Sequence, residues 1–124
     1  MSAVSSHSQE SERFRRLSAI GQIGWWEADF TTRDYLCSEY VCNLLGMKGD
    51  TLTFREFGLY IREDYRERIS REFVSIEEVE VYEQTFPILA MHGVVWVRSR
   101  LGEKWMTEDG HLKAFGILQV VDAP

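Results

Sequence analysis

The sequence contains little cysteine, little basic charge and no long apolar run, and each shortage argues against a class of protein. Its two cysteines, Cys37 and Cys42, are too few for a disulfide framework or a structural zinc site, so buried free thiols are predicted. Fourteen basic against twenty acidic residues give a net charge of −6, which disfavours nucleic acid as a partner. No apolar run approaches the roughly 20 residues that span a bilayer, so we expect a cytoplasmic chain without direct membrane insertion.

What the sequence does contain is enough apolar and aromatic material for one folded domain. The 124 residues are 44% hydrophobic and 13% aromatic, which argues against disorder. The polar, serine-rich residues 1–11 are expected to form a flexible leader, and residues 12–22 to form an amphipathic helix that flanks a domain at 23–122. The apolar positions of this helix are Phe14, Leu17 and Ile20.

Strand patterns occur at both ends of the predicted domain. Residues 23–30 alternate apolar and polar side chains and can pair with the short run 35–37. Residues 82–121 contain three further strands, joined by turns at Met91-His92-Gly93 and Asp109-Gly110. Pro87 lies within the first of these three and cannot donate a ladder hydrogen bond, so its strand is predicted at a sheet edge.

Helical signals fill the middle of the chain. Ser38 is placed to cap a helix that ends at Gly46, a residue suited to the left-handed position after a helix. A shorter helical or irregular turn is predicted for residues 53–61. The next helix is predicted to begin near Asp64, where Asp64 and Glu67 have the spacing of a capping box.

The order of these segments resembles a PAS domain of the type found in bacterial sensor and hybrid histidine kinases. GWWEADF is similar to the first PAS strand, with Trp26 and Asp29 in place, and VVWVRSR is similar to the fourth strand, with its tryptophan at Trp96. IREDYRERI resembles the His-Pro-Glu-Asp-Arg segment of the family, although Ile61 and Arg62 replace the histidine and proline. The Asp-Ile-Thr signature that often ends the domain is replaced by Val-Val-Asp at 120–122.

The resemblance implies an α+β fold with a single five-stranded antiparallel sheet of order 2-1-5-4-3. Helices are inserted between strands 2 and 3, and an N-terminal helix flanks the sheet. It also implies a sensory or regulatory module of a two-component signal-transduction protein, without catalytic activity of its own. Such a module relays a signal to an effector domain in the full-length protein. A constitutive dimerisation module without a ligand is the alternative.

Function in this family depends on the space between sheet and helices. Haem and flavin are disfavoured, because His7, His92 and His111 fall in the leader and in turns, and Cys42 lies in an apolar helix away from the flavin-reactive segment. No metal site is predicted. An unknown small molecule remains open, and so does a core filled by side chains alone. The candidate pocket residues are Trp26, Cys42, Leu45, Phe54, Phe57, Phe73 and Leu118.

The last strand predicts a partner, because apolar side chains alternate onto both of its faces and the inserted helices can cover only one. We therefore expect a homodimer through the outer sheet face and the N-terminal helix. The candidate interface residues are Phe14, Leu17, Ile20, Trp25 and Trp96. Packing of the two tryptophans against the N-terminal helix is the alternative. A small pocket enzyme would need converging polar groups, and only Cys42, Ser99 and Gln119 are candidates, which suggest no reaction.

Overall fold

The computed structural model describes residues 3–124, with side chains from residue 10 onward. The described residues form six strands, four α-helices and, directly after the last helix, a short 3-10 turn at Ser75–Glu77. In chain order the elements are α1 (Ala3–Gly21), β1 (Ile23–Asp29), β2 (Asp34–Cys37), α2 (Glu39–Leu45), β3 (Thr51–Thr53), α3 (Phe54–Tyr60), α4 (Glu63–Val74), β4 (Glu83–Ala90), β5 (Gly93–Met106) and β6 (Leu112–Val121).

All six strands belong to one antiparallel sheet of order β3-β2-β1-β6-β5-β4. The five predicted strands are present in the predicted order, but the prediction of only five was wrong. The additional strand, β3, pairs with β2 and buries Leu52 between two exposed threonines. A three-residue strand is too short to give a clear period of two, so Thr51 and Leu52 were assigned to no element and Thr53 to the following helical turn.

Pro87 lies on β4 at the edge of the sheet, as predicted. Its missing N–H therefore costs no ladder hydrogen bond. Its carbonyl oxygen accepts a hydrogen bond of 3.0 Å from the Arg62 N–H, and Ile61 forms an isolated bridge with Ile88. The segment before α4 thus covers one point of an edge that would otherwise expose unpaired backbone groups.

The helix ends predicted at Ser38, Gly46 and near Asp64 lie within one residue of the observed ones, but the side-chain capping bonds predicted for Ser38 and Asp64 are absent. Gly46 follows α2 with a φ of 74°, as its place after the helix requires. Ser38 precedes α2, but its hydroxyl makes no capping bond and accepts the Trp25 N–H at 3.1 Å. Asp64 is not a cap either, because α4 begins at Glu63 and the Asp64 carboxylate pairs with Arg62.

The capping box that does exist lies at the start of α3. The Thr53 hydroxyl accepts the Glu56 N–H at 3.0 Å, and the Glu56 carboxylate accepts the Thr53 N–H at 2.8 Å. Two of the N–H groups that a helix start leaves unpaired are satisfied in this way. The short helix α3 therefore has a fixed beginning although it buries little of its own surface.

The N-terminal helix is longer than predicted. It begins at Ala3 instead of residue 12, so most of the segment expected to be a flexible leader belongs to α1, while residues 1 and 2 lie outside the described residues. The helix packs against β1 and α2, with Ser18 buried, and an ion pair of 3.8 Å joins Arg15 to Glu39 of α2.

The core lies between the sheet and the helices α2, α3 and α4. We call the covered side of the sheet the inner face; it carries Trp26, Ala28, Val97, Ala114 and Leu118. The helices add Val41 and Leu45 from α2, and Ile69 and Phe73 from α4. One layer of helices on one face of an antiparallel sheet is the arrangement expected for an α+β domain.

Candidate functional site

A cavity of about 700 Å³ lies between the inner face of the sheet and the helices α3 and α4. Most of its lining is apolar, and seven of the lining residues are aromatic. We call these seven the aromatic lining: Trp26, Tyr35, Phe54, Phe57, Phe73, Tyr82 and Phe86. The volume lies within the roughly 300–1,000 Å³ typical of sites for small organic molecules.

Phe73 is the centre of the aromatic cluster. It lies on the same face of α4 as Arg66, Ile69 and Ser70, at positions separated by three or four residues, so one stripe of the helix faces the cavity. Its ring centroid is 5.2–5.7 Å from five other rings, most of them edge-on or tilted. Those rings belong to Trp26, Phe30, Tyr35, Phe54 and Tyr82. This spacing is favourable for aromatic pairs and makes a rigid wall.

Trp26 forms the sheet side of the cavity. Its indole Nε1 donates to the Ile117 carbonyl at 3.1 Å. The ring lies directly over Gly116, where any side chain would overlap it. A glycine at this point of β6 is what allows a large ring to lie flat on the sheet and leaves space above it.

The mouth of the cavity is formed partly by the turn between β1 and β2. Exposed residues of this turn, Thr32 and Arg33, belong to the lining, so the cavity reaches the surface there. The Asp29 carboxylate accepts the N–H groups of Thr31 at 2.9 Å and Thr32 at 3.1 Å, which fixes the turn. Arg33 adopts a φ of 62°, a left-handed conformation that is uncommon outside glycine.

Asp29 also connects this turn to the hairpin between β5 and β6. Its second carboxylate oxygen lies 2.8 Å from Nδ1 of His111. Burial would raise the pKa of Asp29, but the hydrogen bonds from His111, Thr32 and Thr31 outweigh it and lower that pKa. The same hydrogen bond raises the pKa of His111. The pair is therefore a charge-assisted contact whenever the imidazole is protonated.

The hydroxyl and thiol groups in the depth of the cavity are neutral at physiological pH. Burial raises the pKa of the Tyr35 and Tyr82 hydroxyls, and Ser99 hydrogen-bonds to Tyr82. Burial also raises the pKa of the Cys37 thiol to about 12. A thiol with this pKa is not a nucleophile at neutral pH, so the cavity offers hydrogen-bonding hydroxyls but no activated nucleophile.

The structure divides the predicted pocket residues into two groups. Trp26, Phe54, Phe57, Phe73 and Leu118 line the cavity. Cys42 and Leu45 do not; they are buried under α2, and the Cys42 thiol lies 3.6 Å from the Cys37 carbonyl oxygen.

Several lining residues were missed by the sequence reasoning. Tyr82 directly precedes β4 and Phe86 lies within it, four residues later, so a period of two continued from the strand could have placed them on one face. Arg66 could also have been found, because it precedes Ile69 and Phe73 by three and seven residues and so shares their stripe of α4, whereas Arg68 does not.

The residues predicted for a dimer interface have different surroundings. Phe14, Leu17 and Ile20 of α1 are 48%, 67% and 84% exposed, so this apolar side of the helix is uncovered within the chain. Trp25 is half-buried on the outer face of the sheet and stacks on Phe115 with the ring centroids 5.8 Å apart.

Trp96 is already partly covered from within the chain. The Tyr65 ring meets it edge-on at 5.6 Å, and the Arg62 guanidinium lies 5.8 Å from its ring centroid. Both groups come from the beginning of α4, next to the edge strand β4. The packing partner of Trp96 is thus α4 and not the N-terminal helix.

Two features are absent from the described residues. Among them, no group of three or more His, Cys, Asp or Glu side chains is arranged to hold a metal ion. No described helix combines the length and the apolar character needed to cross a membrane.

Solved structures with the same architecture are PAS, or sensory box, domains of signalling proteins. A sensory box histidine kinase/response regulator from Burkholderia thailandensis superposes with a TM-score of 0.66 at 18% identity, over 88% of this chain and 84% of the other. The N-terminal domain of a diguanylate cyclase with a PAS/PAC sensor from Marinobacter aquaeolei gives a TM-score of 0.66 at 15% identity, over 79% and 94%. No protein-family model matches the sequence, and neither does any curated protein. The chain has the PAS fold.

Proposed function

We propose that this chain is a sensory module of a signal-transduction protein, which binds a small molecule in the cavity and relays its presence through the geometry of a homodimer. The observation that carries the proposal is the cavity of about 700 Å³ bounded by seven aromatic residues. Protein interiors are normally close-packed, so an open space of this size with a rigid lining is suited to a ligand. The parent protein would be a sensor or hybrid histidine kinase, by analogy with the similar structures.

The relay would run from the cavity to the helix α1 through strand β1. Trp26 lines the cavity, whereas its neighbour Trp25 points to the outer face, because successive side chains of a strand alternate. Strand β1 also contacts α1 directly. A ligand changes the signalling state only if it binds one arrangement of these elements more tightly than the other.

A constitutive dimerisation module is the second candidate function. It is favoured by the uncovered apolar side of α1, where Leu17 and Ile20 are exposed although both are large aliphatic residues. This surface would support a dimer whether or not the cavity is occupied. In that case the cavity contributes nothing to signalling.

Native mass spectrometry of the purified protein tests both candidates in one spectrum. A dimer that carries a discrete additional mass is expected for the sensory module. A bare dimer that takes up none of a panel of added small molecules would support the constitutive module. A monomer at high protein concentration would contradict the dimer in both.

A pair of variants locates the interface. Replacing Leu17 and Ile20 together by glutamate should convert the dimer to a monomer, because four like charges would face one another across a small apolar contact. Met106→Glu is the matched control, since Met106 is equally exposed but lies at the far end of β5. Dissociation by the control, or a dimer that survives the double variant, would place the interface elsewhere.

A further inference from the structure

The charged residues in the cavity lining all have the same sign. Arg33, Arg55 and Arg66 belong to the lining, and among the described residues no aspartate or glutamate does. The chain as a whole has fourteen basic and twenty acidic residues, so a lining with three arginines and no carboxylate departs from its surroundings. A low-dielectric cavity with one sign of charge concentrates the opposite charge.

Arg66 is the deepest of the three. It is half-buried on the stripe of α4 that faces the cavity, and one of its Nη atoms donates to the Ile61 carbonyl at 3.2 Å. Its Nε atom is buried without a hydrogen-bond partner among the described residues. A buried guanidinium donor without a partner is costly, and an anionic group of a ligand would satisfy it.

The carboxylate of Glu72, which lies near the cavity, does not neutralise Arg66. Glu72 is near enough to Tyr82 to raise the pKa of its hydroxyl, but it is not part of the lining, and its Oε2 is itself buried without a partner. Six residues separate Glu72 from Arg66, so the two lie on different faces of α4. No ion pair of Arg66 is found within the described part of the chain.

Arg33 adds a second cation at the mouth. Its guanidinium lies over the Phe54 ring at 5.5 Å, and its backbone oxygen accepts the Phe54 N–H at 3.0 Å, so the turn and α3 hold it in place. The left-handed conformation of Arg33 would suit glycine or asparagine better. Strained residues of this kind concentrate at ligand sites.

We propose that the cavity binds an organic carboxylate with an aromatic body, whose ring packs against the aromatic lining and whose carboxylate pairs with Arg66. Arg33 closes the site at the mouth. This inference rests on the proposed function, because it assumes that the cavity takes a small molecule. The inference goes beyond the proposed function by naming the chemical class of the ligand, which is selected by an apolar lining with a half-buried arginine whose Nε has no partner.

Two probes of similar size, one anionic and one neutral, separate the contribution of the carboxylate from that of the aromatic ring. Isothermal titration calorimetry with 2-naphthoate and with the neutral 2-naphthalenemethanol measures both affinities on the unaltered protein. We expect 2-naphthoate to bind about ten- to a hundredfold more tightly, which is the range of one charge-assisted hydrogen-bonded pair. Equal affinities, or tighter binding of the alcohol, would overturn the inference but leave the cavity as a ligand site. Binding of neither probe would overturn the inference and contradict the proposed function.

Variants test whether Arg66 is the residue that recognises the carboxylate of the probe. Arg66→Gln should lose most of the preference for 2-naphthoate and keep its affinity for the alcohol, and Arg66→Lys should retain part of the preference. Arg68→Gln is the matched control, because Arg68 lies on the same helix but is exposed and outside the lining. An unchanged preference in Arg66→Gln, or an equal loss in Arg68→Gln, would overturn the assignment. Since the first comparison needs no variant, a variant that does not fold leaves the test intact.

Discussion

The two helical regions that cover the inner face of the sheet differ in how closely they pack. Helix α2 contacts β1 and β4 and buries Val41, Cys42 and Leu45. Helices α3 and α4 border the cavity, with Phe54 and Phe57 only half-buried around it. Both regions are apolar, so apolar character alone does not decide where a fold closes. They differ in side-chain size, since the residues that α3 and α4 direct at the cavity include the large rings of Phe54, Phe57 and Phe73.

The largest difference between the two regions should appear when one side chain is truncated in each. Leu45→Ala removes a buried side chain from the close-packed region and should lower the free energy of unfolding by about 2–5 kcal/mol. Phe57→Ala removes a larger side chain, but one that already faces open space, and should cost less than about 2 kcal/mol. Urea denaturation of both variants measures the difference.

An equal or larger loss for Phe57→Ala would show that the α3 side is packed as closely as the α2 side. The truncations also test the cavity directly, because Phe57→Ala enlarges it while Leu45→Ala does not. Binding of an aromatic probe should therefore change only in the first variant.

The next prediction concerns Gly116, against which the Trp26 ring packs. Gly116→Ala adds a methyl group that overlaps the Trp26 indole and the Arg100 carbonyl oxygen. We expect a loss of about 1–3 kcal/mol in the free energy of unfolding, as for other overpacked sites, together with a shift of tryptophan fluorescence as the indole moves toward the cavity. Gly49→Ala is the control, because nothing surrounds Gly49 within 4 Å. Similar stabilities of the two variants would refute the close contact.

A smaller effect is expected where α3 begins. Because α3 buries little surface, its capping box should contribute a large share of its stability. Thr53→Ala should cost about 1 kcal/mol, within the usual range for the loss of an N-cap. Asp64→Ala should cost less, since Asp64 makes only an exposed ion pair with Arg62. Thermal or urea unfolding separates the two, and a larger loss for Asp64→Ala would restore the capping role that the sequence suggested for it.

The order of the strands was predicted by the resemblance to PAS domains, whereas the edge position of Pro87 and the end of α2 at Gly46 were predicted from local backbone chemistry. It placed Cys42 and Leu45 with the pocket because a pattern of apolar residues says which side of a helix is buried but not how far that helix lies from the sheet. The distance depends on contacts such as that of Trp26 over Gly116, which join residues 90 positions apart in sequence.

Arg66 was missed for a different reason. Its spacing from Ile69 and Phe73 places it on the inward stripe of α4, but it was grouped with the exposed charges of the helix because it is an arginine. The capping box of α3 had a clear local signal, since threonine and glutamate three residues apart are its usual pair. It was not identified from the sequence, since residues 53–61 were predicted only as a helical or irregular turn and no cap was assigned to them.

The smallest expected effect concerns the contact between Asp29 and His111, which holds the cavity mouth. The Nε2 atom of His111 also lies 3.9 Å from a carboxylate oxygen of Asp109. The positive charge of Lys113 opposes the rise in the His111 pKa but does not cancel it. Because the pKa of His111 is raised in the folded protein, its contribution to stability is complete below the unfolded value of about 6.5 and is lost as pH rises through the folded value. The pKa of Asp29 is lowered, so its contribution is complete above about 3.8 and is lost as pH falls through the folded value.

The contact should therefore stabilise the protein most between about pH 4 and 6.5. His111→Gln should lower the free energy of unfolding in that window and lose its difference from the unaltered protein as the pH rises toward 9. His92→Gln is the control, since His92 is exposed in the turn between β4 and β5. Parallel curves for His111→Gln and the unaltered protein would show that the turn is held by the N–H groups of Thr31 and Thr32 alone. The mouth would then be fixed independently of pH, as the close-packed α2 side is.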